Sequence, residues 1–143
     1  MKKLLIFAAL VALGLFGYRS LAKNSAAGAS GPVGTAGKLT LLDFTGSDWC
    51  GWCMKLDQEV FSQPEFQQFA RDNVILTKVD FPRQIPQSAA ERARNTELAK
   101  QYGVRGYPTI IVLNAQGKQV GRLGYMPGGP RPFIDALKRL PRS

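Results

Sequence analysis

Cys50 and Cys53 are the only cysteines in the chain, and they stand two residues apart in the stretch DWCGWCMK. No histidine occurs anywhere in the 143 residues. Together these facts limit the available chemistry. Without imidazole there is no serine–histidine or cysteine–histidine nucleophile pair and no histidine-bearing metal site. Two cysteines cannot make a four-thiolate zinc site in one chain. The pair is therefore a redox centre, a two-thiolate copper(I) site, or a disulfide that staples a turn. A staple closing so short a loop stabilises little by chain entropy, because that gain grows with loop length.

The flanking segments set the context. Residues 1–23, MKKLLIFAALVALGLFGYRSLAK, place two lysines before an apolar run from Leu4 to Tyr18. Fifteen residues suit a signal-peptide core better than a membrane span of about 20. Cleavage before Lys23 is expected, with Ser20 and Ala22 as the small residues a peptidase reads, and an uncleaved anchor over 1–22 is the alternative. Both put the folded part in the periplasm or otherwise outside the cytoplasm, where a disulfide persists. Residues 23–37, KNSAAGASGPVGTAG, read as a flexible Ala/Gly/Ser linker. The formal charge of +9 falls to +6 without residues 1–22, and the remaining basic residues are scattered. That distribution indicates a solvated surface and no nucleic-acid partner.

Residues 38–143 hold one domain. KLTLLDFTG (38–46) is a nearly continuous apolar run, as in a strand covered on both faces. The cysteine pair then opens a helix reaching Phe61. Ser62 and Glu65 have capping-box spacing around Pro64, giving a second short helix with Phe66 and Phe69 on one face. Residues 73–81 form a second strand, and 82–95 a polar connection with room for one helical turn. A short helix is expected over 96–104, with Thr96 as cap and Gly103 as stop. Strands over 108–114 and 119–125 are joined by the turn AQGK, and a final helix spans 132–140. The order is β, α, α, β, α, β, β, α.

Capping the helix would place the Cys50 sulfur where unpaired N–H groups and the positive helix end converge, which favours thiolate. Cys53 lies one turn further along the same face, close enough for a disulfide. Cys50 is then the attacking sulfur and Cys53 the one that resolves the mixed disulfide.

Two stretches carry a family resemblance. LLDFTGSDWCGWCMKL after a strand, and YGVRGYPTIIVLNAQGKQVGRLGY about 50 residues on, resemble the thioredoxin superfamily, especially its exported bacterial members. The resemblance covers about residues 38–140. It implies an α/β thioredoxin fold, three layers α/β/α around a mixed four-stranded sheet, with room for a fifth short N-terminal strand. It identifies Cys50 as nucleophile, Cys53 as resolving thiol and Pro108 as the cis-proline facing them. Trp49, Trp52, Tyr107 and Pro108 become the expected substrate contacts, Tyr107 through its backbone. Asp43 matches the buried carboxylate that accepts the resolving thiol's proton. The loop FTGSDW is one residue longer than the family's pattern, which would displace Asp43 or turn it to the other face. Lys78 does not fall at the position of the family's partnering lysine, and Asp48 reads as a solvated loop residue.

Gly51 and Trp52, between the cysteines, include neither proline nor histidine. This favours a reductase or a weakly oxidising exchanger over a strong oxidase. The expected activity is thiol–disulfide interchange on exported proteins by a monomer, with a membrane-bound electron partner, no cofactor and no resident metal. The alternatives are a copper(I) chaperone for respiratory-enzyme assembly and a tethered interaction protein with an idle site.

Overall fold

Seven residues in a row, Leu39–Thr45, are buried, because strand β1 lies in the middle of a sheet with helices on both faces. A computed structural model describes residues 37–143. The readings of 1–22 as signal peptide or anchor and of 23–36 as linker lie outside the described residues, as would a strand preceding β1. β1 pairs in parallel with β2 (Val74–Asp80) and antiparallel with β3 (Thr109–Leu113), which pairs antiparallel with β4 (Gln119–Leu123). The order β2-β1-β3-β4 makes the mixed four-stranded sheet expected from the sequence.

Side-chain alternation along β1 divides the core. Leu39 and Leu41 face helix α1 (Gly51–Leu56), the π-helical turn that continues it (Asp57–Phe61), α2 (Pro64–Asn73) and α4 (Pro130–Lys138). There they meet Leu56, Val60, Phe66, Phe133 and Leu137. Leu42 and Phe44 face the other way, towards Leu98, Ala99 and Tyr102 at the end of α3 (Ala89–Gln101). The result is the three-layer α/β/α arrangement. Asp43 shares the Leu39–Leu41 parity and so points to the side of the cysteine helix.

Two helix starts differ from expectation. Ser62 does not cap α2. The π-helical turn runs up to it, with the Ser62 N–H donating to the Asp57 carbonyl at 2.7 Å, so its backbone stays helical (φ −81°, ψ −7°). The extended cap conformation passes to Gln63 (φ −76°, ψ 138°), with Pro64 next. The Ser62 hydroxyl donates instead to Asp57 Oδ2 at 3.2 Å.

Helix α3 starts at Ala89 rather than at Thr96, so half of the expected polar connection is helical. Ser88 is its cap, its Oγ accepting the Glu91 N–H at 3.1 Å. Ser88 and Glu91 have capping-box spacing, which the polar composition of the segment obscured. Thr96 sits inside the helix and its hydroxyl donates to the Arg92 carbonyl at 2.8 Å. The last helix begins at Pro130, two residues ahead of its expected start, because a proline needs no N–H partner in a first turn. Among the described residues no helix is long and apolar enough to cross a membrane.

Candidate active site

β1 ends at Thr45, and the chain must turn at once to start α1 at Gly51. The turn over 46–49 is fastened from within by the Cys50 N–H donating to the Gly46 carbonyl at 2.9 Å. It is fastened from outside by two carboxylates acting in opposite directions. Asp80, at the end of β2, accepts the Ser47 N–H at 2.9 Å and the Ser47 hydroxyl at 2.5 Å. Asp48 accepts the N–H groups of Arg83, Gln84 and Ile85 at 3.0, 2.6 and 2.9 Å. These three donors hold the Asp48 carboxyl below the usual carboxylate range, the Arg83 N–H most of all. The expectation that Asp48 is merely solvated is therefore corrected: it clasps the β2–α3 connection to the cysteine turn.

Trp49 packs against Gly46 in this turn, its Nε1–H donating to the Phe81 carbonyl at 2.8 Å. Gly46 makes room for it, since a Cβ there would stand 2.4 Å from Trp49 Cε2. Gly46→Ala is therefore expected to push the indole out of its hydrogen bond. The expected cost is about 1–3 kcal/mol in urea unfolding, with a red-shifted tryptophan emission. Unchanged stability and emission would show that the turn relaxes freely.

Cys50 is the N-cap of α1 (φ −88°, ψ 101°), and its Sγ accepts the Cys53 N–H at 3.3 Å. The two are joined as a disulfide with Cα atoms 5.2 Å apart, and both are buried. The Tyr107–Pro108 peptide bond is cis. Tyr107 stacks on Phe81 at 5.2 Å and meets the edge of Trp49 at 5.9 Å, which ties the proline segment to the cysteine turn.

Asp43 is 4% exposed and its Oδ1 has no hydrogen-bond partner. It lines a cavity of about 110 Å³ together with Cys53, Thr45, Ser47, Met54, Asp57 and Lys78. Burial pushes its pKa up from 3.8 to about 7; Lys78 opposes the rise, while Asp57 and Asp80 add to it. The longer loop has thus neither displaced Asp43 nor turned it away: its place in β1 carries it to the side of Cys53. Lys78 is also corrected: it is the register partner of Asp43 across β1–β2 and lines the same cavity.

Trp52 is 58% exposed beside the disulfide, its ring tilted against Tyr125 at 5.2 Å. The Lys55 ammonium lies 5.3 Å from both rings, and the Tyr125 hydroxyl donates to Glu59 at 2.6 Å. Tyr125 and Arg83, whose guanidinium covers the Trp49 ring at 3.8 Å, were not singled out from the sequence. Both lie in loops far from the cysteines in the chain. The sequence reading placed Arg83 in the polar connection and Tyr125 at the end of the last strand, which in the structure stops at Leu123.

Residues 32–139 match the model of a thioredoxin-like domain family. The chain belongs to this thioredoxin-like family. The disulfide bond reductase DsbH of Chlamydia pneumoniae is 40% identical over 97 residues, which make up 68% of this chain and 58% of the relative. A solved structure of a DsbH oxidoreductase superposes with a TM-score of 0.67 at 40% identity, covering 71% of this chain and 70% of that one. The oxidised C-terminal domain of Neisseria meningitidis DsbD gives a TM-score of 0.53 at 25% identity, covering 71% and 79%. The thioredoxin-related protein DsbJ of Chlamydia pneumoniae is 31% identical, but the match spans 59% of this chain and only 24% of that relative. The chain thus spans 58% and 24% of the length of these two curated relatives.

Proposed function

We propose that this protein is a thiol–disulfide oxidoreductase that reduces disulfides in exported proteins, with residues 38–143 as its working domain. The observation that carries this reading is the Cys50–Cys53 pair at a helix start beside a buried Asp43 whose pKa lies near 7. The name of one relative, a disulfide bond reductase, supports the reducing direction. The copper(I) alternative finds no support among the relatives named above.

In the reduced protein, the Cys50 thiolate attacks one sulfur of a substrate disulfide. A Cys50–substrate bond forms and the other substrate sulfur leaves as a thiolate. Cys53 gives its proton to Asp43 and attacks the Cys50 sulfur, releasing the second substrate thiolate. Two electrons have passed to the substrate and Cys50–Cys53 is now a disulfide. A dithiol donor, in the cell a membrane-bound partner, restores it by the reverse exchange. Asp43 suits the proton step because its pKa near 7 lets it take a proton and give it up close to neutral pH. Trp49 and Trp52, which adjoin the cysteines in the chain, and Tyr107 and Pro108, tied to the cysteine turn through the Trp49 ring, supply the substrate contacts, with the backbone of Tyr107 pairing an extended substrate segment. The N-terminal signal or anchor places this monomer outside the cytoplasm, on the linker over 23–37.

The test is covalent trapping. Cys53→Ala should hold a disulfide-bearing substrate through Cys50, visible as a dithiothreitol-sensitive adduct on a non-reducing gel. Cys50→Ala should hold none. Equal trapping by both variants would remove the division of roles.

A further inference from the structure

We propose that Arg83 is a specificity-determining residue that favours substrate disulfides flanked by acidic side chains. This rests on the oxidoreductase reading above and names the substrate class for that site. Three observations support it. The Arg83 guanidinium lies 3.8 Å from the centre of the Trp49 ring, and Trp49 immediately precedes the attacking Cys50. The stack holds the cation on the residue that adjoins the attacking cysteine. Among the described residues the ion pairs join Lys55 to Glu59, Lys100 to Glu97 and Arg131 to Glu65, and none takes in Arg83. The carboxylate next to it along the turn, Asp48, is occupied by the N–H groups of Arg83, Gln84 and Ile85.

A guanidinium stacked by its face keeps its edge donors for a bidentate carboxylate, and the stack reduces the rotamer freedom lost on binding. The backbone beneath it is fixed by Asp48, so the cation stands at a set place relative to Cys50. The same loop presents Ile85, 55% exposed, as an apolar contact next to the charge. An extended acidic segment with a large apolar residue near its cysteine fits this loop. A second cation near the cysteines, Lys55, is engaged with Glu59 at 3.8 Å and with the Trp52 and Tyr125 rings. Arg83 is the cation held in place by the aromatic ring that adjoins Cys50 in the chain, with no carboxylate paired to it among the described residues.

The experiment uses three disulfide-linked peptides differing only in having Asp, Asn or Lys beside each cysteine. Dithiothreitol is the reductant, and each kcat/KM is divided by the rate with dithiothreitol alone. The unaltered protein should favour the Asp over the Asn peptide by about fivefold, the upper end for an exposed pair. The preference should sit in KM and fade in 1 M salt. Arg83→Lys should keep part of it, Arg83→Gln should abolish it, and Arg83→Glu should reverse the order of the Asp and Lys peptides. Lys118→Glu makes the same change of charge in the β3–β4 turn, at the far end of the sheet, and should leave the order intact. Equal rates on all three peptides, or an acidic preference that survives Arg83→Glu, overturns the proposal. If the unaltered protein turns over no peptide, the oxidoreductase reading itself fails and takes this proposal with it.

Discussion

Asp43→Asn should make the oxidised protein more stable at pH 8 by about 4 kcal/mol, while leaving its stability near pH 4 almost unchanged. The folded pKa is about 7 and the ordinary value 3.8, a gap worth about 1.4 kcal/mol for each pH unit. Between those two values the folded state keeps a proton that the unfolded chain has lost. Stability therefore falls as pH rises from about 4 to about 7, then levels off once Asp43 is ionised in both states. Asparagine has nearly the same shape and no charge to desolvate, so the variant should lose this slope. Urea unfolding at pH 5 and pH 8 checks it: the two midpoints should differ in the parent and converge in Asp43→Asn. The same change should slow turnover about a hundredfold, because asparagine cannot take the Cys53 proton. A variant that is less stable at pH 8 would mean that Asp43 is ionised and well paired in the fold.

Cys50→Ser and Cys53→Ser should each lower catalytic turnover of a disulfide substrate at least about a thousandfold, for different reasons. A serine hydroxyl at position 50 stays protonated and cannot attack a disulfide, so no adduct forms. A serine at position 53 leaves the first exchange intact but removes the second, so each molecule stops after one substrate. Neither variant should change the fold beyond the loss of a short cross-link, because a loop of this size constrains the unfolded chain little. Stopped-assay kinetics with gel analysis of adducts separates the two. A Cys53→Ser protein that turns over repeatedly would contradict the resolving role.

Much of this architecture was legible in the chain, and the exceptions have physical causes. The apolar runs that mark β1 and β3 survive because nearly every residue of these two central strands is buried, while β2 and β4, at the sheet edges, are only partly covered. The Ser62 cap was lost to a feature that has no local sequence signal, the π-helical turn that carries helical backbone one residue too far. The Ser88 cap was legible as Ser88–Glu91, yet it introduces a helix whose first two turns carry no buried apolar residue, so periodicity gave no warning. Asp43 shows the limit most clearly. β1 is apolar on both faces, so the chain does not reveal which face meets the cysteine helix. The loop count alone argued for displacement. Asp43 is held by its pairing within β1, and the longer turn after it is fastened by long-range carboxylate clasps, Asp80 on Ser47 and Asp48 on residues 83–85, linking positions more than 30 apart in sequence. No reading of neighbouring residues anticipates such contacts.

The most direct test of the central claim needs only the unaltered protein. Insulin is incubated with dithiothreitol, with and without catalytic amounts of the protein, and precipitation of the freed B chain is followed by turbidity. Onset should come several times sooner with the protein present, and the advance should scale with its concentration. Onset no earlier than with dithiothreitol alone would contradict thiol–disulfide exchange at Cys50 and Cys53.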